Sequence, residues 1–142
     1  MIIVLDTDHL TLIQRQTQPA YARLRTRLQR LAAAEVFTTM ISVEEQMRGW
    51  LNLIARAKTA QQEVSAYLRL HAMLAFFAAI PLIDYTEEAA VIFDRLRHSR
   101  LRTGSMDLKI AAISLAHGAL LLSSNLKDYQ QVPNLKVEDW TQ

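Results

Sequence analysis

Three short runs in this chain are apolar or β-branched almost without a break: IIVL at 2–5, VFTTMI at 36–41 and ALLLS at 119–123. A strand with one solvated face alternates apolar and polar residues, whereas a strand covered on both faces reads as a continuous apolar run. These runs therefore predict strands inside a covered sheet. AIPLI at 79–83 and LKVED at 135–139 predict two more, and Pro81 places the former near a sheet edge. The stretches between them have helical spacing. Tyr21, Leu24, Leu28 and Leu31 predict a helix over 18–34, and Val43, Met47, Trp50, Leu51 and Ile54 one over 43–57. Val64, Tyr67, Leu68, His71, Leu74, Ala75 and Ala78 form the stripe of a long helix over 59–78, read here as mainly core-facing. Thr86 before Glu87 and Glu88 marks a helix start, and 106–117 is helical. Strands alternating with helices imply an α/β fold with a mostly parallel central sheet and helices on both faces.

Composition agrees. With 142 residues, 51% apolar and 21% charged, the chain reads as one globular domain, 1–142. Three Gly and three Pro leave room for much helix, and the absence of Cys excludes disulfides and thiolate metal sites. That suits a reducing cytoplasm. The start MIIVLDTD lacks the basic stretch and cleavage pattern of a signal peptide, and no apolar run is long enough for a membrane span. A net charge of +2 does not by itself argue for nucleic-acid binding.

In open α/β sheets, ligands bind beyond the carboxyl ends of the strands. Asp6 and Asp8 follow the first strand, in DTDH; Ser42, Glu44 and Glu45 follow the second; Ser124, Asn125 and Asp128 follow ALLLS; Asp107 opens the helix leading into it. Two carboxylates about 4 Å apart repel by roughly 4 kcal/mol at an effective dielectric near 20, so several on one rim must protonate or bind a cation. Hard oxygen donors without Cys favour Mg²⁺ or Mn²⁺, whose usual chemistry is on phosphate esters. Local roles compete at each position. Asp8 suits a helix N-cap; Ser42-x-x-Glu45 fits a capping box, and Asn125-x-x-Asp128 a looser one. Asp107 suits a helix dipole. Asp6, directly after a buried strand, has the weakest structural explanation. The helical wheel sets Glu44 on the flank of the apolar stripe and Glu45 opposite it, which leaves open which of them faces the rim.

IIVLDTDHL, ISVEEQMRG, TGSMDLKIAA and LLLSSNLKDYQQVPNLKVEDW resemble, in order, the four motif regions of PIN-domain proteins of the VapC-type toxin family. The resemblance implies a three-layer α/β/α sandwich whose acids bind Mg²⁺ or Mn²⁺ and cleave RNA with a metal-bound water. On its terms Asp6 is the first acid, Glu45 the second (four residues before Gly49) and Asp107 the third; Ser123, Asn125, Asp128 and Tyr129 fill the last region. Asp8 stands where the family often has Asn, and its role as orienter, ligand or cap stays open. The resemblance also implies a small cognate antitoxin and a homodimer; the short apolar runs point to no membrane association.

Arg95, Arg97, Arg100 and Arg102 precede Asp107; Arg100 and Arg102 are candidates for contacting RNA phosphates, against the plainer reading of a solvated face. His9 reads as a surface residue and His71 as a core one, while Trp50, Trp140 and Tyr129 read as packing. Two alternatives compete. VLDTD superficially matches the Asp-x-Asp of haloacid-dehalogenase-type phosphatases, with Asp6 as nucleophile, although Leu10 stands where that family has Thr or Val. A catalytically silent PIN-fold module that binds RNA or protein is the other; acids at all four motif positions argue against it.

Overall fold

The computed structural model describes residues 1–32 and 35–142. Its elements are β1 (Ile3–Leu5), α1 (Thr7–Arg15), α2 (Ala20–Leu28), β2 (Val36–Thr39), α3 (Met40–Arg56), α4 (Ala60–Ala78), β3 (Leu82–Ile83), α5 (Glu87–His98), α6 (Ser105–Ala116), β4 (Leu120–Leu122), α7 (Leu126–Tyr129) and β5 (Lys136–Glu138). The strands form one sheet in the order β3-β2-β1-β4-β5, and every pair is parallel. The expected α/β sheet is thus present, with the fully buried strand β1 at its centre. Pro81 borders the edge strand β3 as expected, and its carbonyl accepts the Thr38 N–H.

Alternation along the strands splits the core in two. Val4 and Leu121 face one layer with Leu96, Ile110 and Ile113 from α5 and α6. Ile3, Leu5, Leu120 and Leu122 face the other, with Leu10, Leu24, Met73 and Phe77 from α1, α2 and α4. Helices cover both faces, giving the three-layer α/β/α sandwich. Beyond the ladder, Asp6 N–H donates to the Leu122 carbonyl and the buried Thr38 hydroxyl to that of Leu5. The carboxyl ends of β1, β2 and β4 are thereby locked side by side.

Several boundaries differ from expectation. The second strand ends at Thr39 rather than 41, because the Thr39 side chain caps α3 by accepting from Ser42 N–H. Ser42 is therefore three residues inside that cap, and the expected Ser42–Glu45 capping box does not form. The third strand is confined to Leu82–Ile83. The helix expected over 18–34 closes at Leu28, and residues 33–34 lie outside those described. In its place the chain gains α1, a helix that starts one residue after β1 and whose short apolar stripe escaped the periodicity reading. The long helix keeps its boundaries but presents another face. Ala66, Met73 and Phe77 are buried, whereas Val64, Tyr67, Leu68 and Leu74 are more than half exposed. The stripe read as core faces outward, and His71 with it.

Candidate active site

Asp6 ends the central strand, only 6% exposed, and caps α1. Its Oδ1 accepts from Thr7 N–H at 2.8 Å and its Oδ2 from the Ser123 hydroxyl at 2.8 Å. Burial, then the charge of Asp8, push its pKa up to about 7, against those two bonds. Asp6 is therefore the N-cap considered for Asp8. A carboxylate with both oxygens engaged and almost no exposure is also poorly disposed for in-line attack as a nucleophile.

Asp8 sits in the first turn of α1. Its Oδ1 accepts from His9 Nδ1 at 2.8 Å and its Oδ2 from Ser124 N–H at 2.9 Å, with the Ser123 hydroxyl 3.2 Å away. His9 is fully buried, contrary to its surface reading. Its Nε2 accepts from Trp140 N–H at 3.3 Å, which assigns the neutral tautomer protonated at Nδ1. Asp8 thus bridges β4's exit loop and the C-terminal segment.

From α3, Glu45 reaches the same rim. The Thr7 hydroxyl lies 3.1 Å from Glu45 Oε1 and 3.0 Å from Ser42 Oγ. It has one proton, and the carboxylate is the stronger acceptor. Glu44 instead pairs with Arg48 on the outer side of α3. The choice left open by the helical wheel is decided by Thr7, a residue the sequence did not single out. Burial, and the charges of Asp107, Glu44 and Asp8, hold the Glu45 carboxyl above its usual range against the bond from Thr7.

Asp107 opens α6, and Asp128 lies in α7. Asn125 joins them: its Nδ2 stands 3.2 Å from both Asp107 Oδ2 and Asp128 Oδ2. Asn125 makes no side-chain cap bond to α7, so the Asn125–Asp128 pair serves the rim rather than a cap. Burial first, then the charges of Asp128 and Asp8, raise the Asp107 pKa, opposed by the bond from Asn125. Ser123 Oγ also accepts Asn125 N–H at 3.0 Å. Four chain segments therefore face one another electrostatically at the carboxyl edge of the sheet. Among the described residues, no three His, Cys, Asp or Glu side chains form a ready-made cage for one ion.

Arg100 and Arg102 lie exposed in the connection between α5 and α6, near the rim. That connection is tied to α7 by the Thr103 hydroxyl, which donates to the Asp128 carbonyl, and by Arg102 N–H, which donates to Gln131. Arg97 is taken up by Asp94 and the Phe93 ring. Trp50 and Trp140 pack against the core as expected, and the Tyr129 ring is fully buried.

No family model matches the chain. Among curated proteins it is 30% identical over 69 residues to ribonuclease VapC2 of Rickettsia felis, covering 46% of this chain and 52% of that protein. It is 24% identical over 85 residues to the tRNA(fMet)-specific endonuclease VapC of Salmonella typhimurium, covering 57% of this chain and 64% of that one. The matches thus span between half and two thirds of these relatives' length. Among solved structures, DNA-bound VapBC from Salmonella typhimurium contains a chain that superposes with a TM-score of 0.73 at 20% identity, covering 99% of this chain and 98% of that one. The whole chain shares that fold.

Proposed function

We propose that this chain, which has the fold and motif order of VapC-type PIN-domain proteins, is a metal-dependent endoribonuclease acting in the cytoplasm as the toxin of a toxin–antitoxin pair. It would act as one domain over 1–142. The observation that carries this reading is the meeting of Asp6, Glu45 and Asp107 at one rim, each with a pKa raised by burial and by neighbouring negative charge. Such a site gains by taking up a cation.

The donors suit a hard divalent ion. Mg²⁺ keeps several waters and is commonly held by one or two carboxylates plus substrate phosphate, so acids spaced around an opening fit it without a closed cage. Asp6, Glu45, Asp107 and Asp128 would hold Mg²⁺ or Mn²⁺, directly or through water. When bound, the ion would supply positive charge at the phosphate and lower the pKa of a water. The rest follows from the chain's own residues. Thr7 fixes one oxygen of Glu45 and leaves the other to accept a proton from the attacking water. The water oxygen bonds to phosphorus, the phosphorus–oxygen bond to the leaving sugar breaks, and that oxygen takes a proton from solvent. Ser123 and Asn125 hold Asp6, Asp107 and Asp128 in place. Arg100 and Arg102 offer planar donors to flanking phosphates.

For partners, we propose RNA as substrate, a cognate antitoxin and a second copy of the chain. No helix is long and apolar enough to cross a membrane among the described residues. The outward apolar side chains of α4 support a protein partner, because exposed apolar patches mark such contacts. A groove of about 730 Å³ between α1, α3 and α4, lined by Trp50, Leu53, Met73 and Phe76 with Arg15 and Arg69, supports one too.

The test is cleavage of structured RNA with Mn²⁺, with and without EDTA, beside Asp6→Asn and Asp107→Asn. We expect cleavage that EDTA abolishes and that each substitution lowers by roughly a hundredfold or more. Equal cleavage by all three proteins rules out the metal–carboxylate mechanism.

A further inference from the structure

Tyr129 is fully buried, its ring packed in the core layer formed with α5 and α6. Its hydroxyl is the one buried side-chain polar atom among the described residues without a hydrogen-bond partner. A buried, unpaired hydroxyl costs its full desolvation, whereas a phenylalanine ring would fill the same space without that cost. The hydroxyl does not face apolar surroundings. It lies against the Asp6 and Asp107 carboxylates without a hydrogen bond to either. A phenol keeps its proton at neutral pH and is a donor there.

The two acids are not equally in need of a donor. Asp6 has Thr7 N–H on one oxygen and Ser123 on the other. Asp107 receives a donor on Oδ2, from Asn125, which divides its amide between Asp107 and Asp128.

We propose that Tyr129 is a positioning residue of the acid site: its hydroxyl donates to Asp107 as the rim closes on a divalent cation, and so orients that carboxylate toward the ion. The inference rests on the metal-site reading above. Tyr129 touches neither substrate nor ion in this role; it acts through Asp107. Carboxylates that ligate metals are themselves held by hydrogen bonds, and loss of such a support typically costs 10- to 100-fold in metal affinity or activity.

The test is calorimetric titration of Mn²⁺ into the full wild-type chain and into Tyr129→Phe, with thermal melts of both in EDTA. The substitution removes one oxygen that bonds to nothing in the metal-free protein. We therefore expect Tyr129→Phe to melt in EDTA at or above the wild-type temperature, with Mn²⁺ affinity roughly tenfold lower or more. The stabilisation that saturating Mn²⁺ gives on melting should shrink in parallel. Wild-type Mn²⁺ affinity in Tyr129→Phe overturns the assignment while leaving the metal site intact. A lower melting temperature in EDTA with unchanged Mn²⁺ affinity also overturns it, because the hydroxyl is then structural. A wild-type chain that binds no Mn²⁺ overturns the metal-site reading itself, and this inference with it.

Discussion

Asp8 shows what one residue's partners decide. Where the resembling family often has Asn, this chain has a carboxylate whose two oxygens accept from His9 Nδ1 and from Ser124 N–H. Asn offers one acceptor, so Asp8→Asn must give up one donor, and the exposed Ser124 N–H can turn to water. His9 has no such outlet: it is fully buried and accepts from Trp140 N–H. We therefore expect Asp8→Asn to cost less than about 1 kcal/mol and His9→Leu about 1–3 kcal/mol in urea unfolding; equal costs contradict this division. Asp6 yields a pH prediction. In an acid whose folded pKa is raised, protonation favours the folded state. The stabilisation is complete below the unfolded value of 3.8 and is lost as pH rises through about 7. Glu45 and Asp107 shift in the same direction. The metal-free chain should gain stability as pH falls from 7 toward 4, with Asp6 contributing up to about 4 kcal/mol. Urea melts in EDTA across that range check it, and Asp6→Asn should flatten the slope.

At the level of elements, the site is built from strand-to-helix junctions. β1 passes into α1 at Asp6 and β2 into α3 at Thr39, with no loop between them. An abrupt junction leaves the first N–H groups of a helix near the sheet edge, where a side chain must accept them. Thr39 does so for α3, which carries Glu45. Thr39→Ala should cost about 1 kcal/mol in thermal or urea unfolding, and Glu45 should lose its fixed approach to Thr7. These junctions also explain the boundary errors. VFTTMI reads as strand because Val36, Thr38, Thr39 and Ile41 are β-branched, yet the cap at Thr39 turns Met40 and Ile41 into the first turn of α3. On α4 the error was of face rather than extent: helical spacing finds an apolar stripe but not its partner, and Ala66, Met73 and Phe77 won the core.

Across the whole molecule, the C-terminal segment closes the second core layer. Trp140 is 6% exposed, packs with Leu5, Leu10 and Leu24, and carries Arg27 over its ring at 4.3 Å. Its N–H reaches His9, so the same residue ties the end of the chain to the acid rim. Trp140→Ala should cost about 3–5 kcal/mol in urea unfolding, and a loss below 1 kcal/mol refutes this anchoring role. The sequence by itself determined the mostly parallel sheet and the set of acids at its carboxyl edge, because burial on both faces and helical periodicity are local patterns, whereas the strand order with β1 at the centre came from the tertiary structure. From sequence alone His9, beside acids, reads as surface and His71, on an apolar stripe, as core; the structure reverses both, since only packing says which is covered. Only the tertiary structure set Glu45, the acid the resemblance indicates, against Thr7 with Glu44 turned to Arg48, and aimed the Tyr129 hydroxyl at the rim. Those choices are made by contacts such as Thr7 with Glu45, 38 residues apart, and Ser123 with Asp6, 117 apart. Strand order, not local spacing, brings such residues together, and a hydrogen bond needs its partner's position to within a few tenths of an ångström.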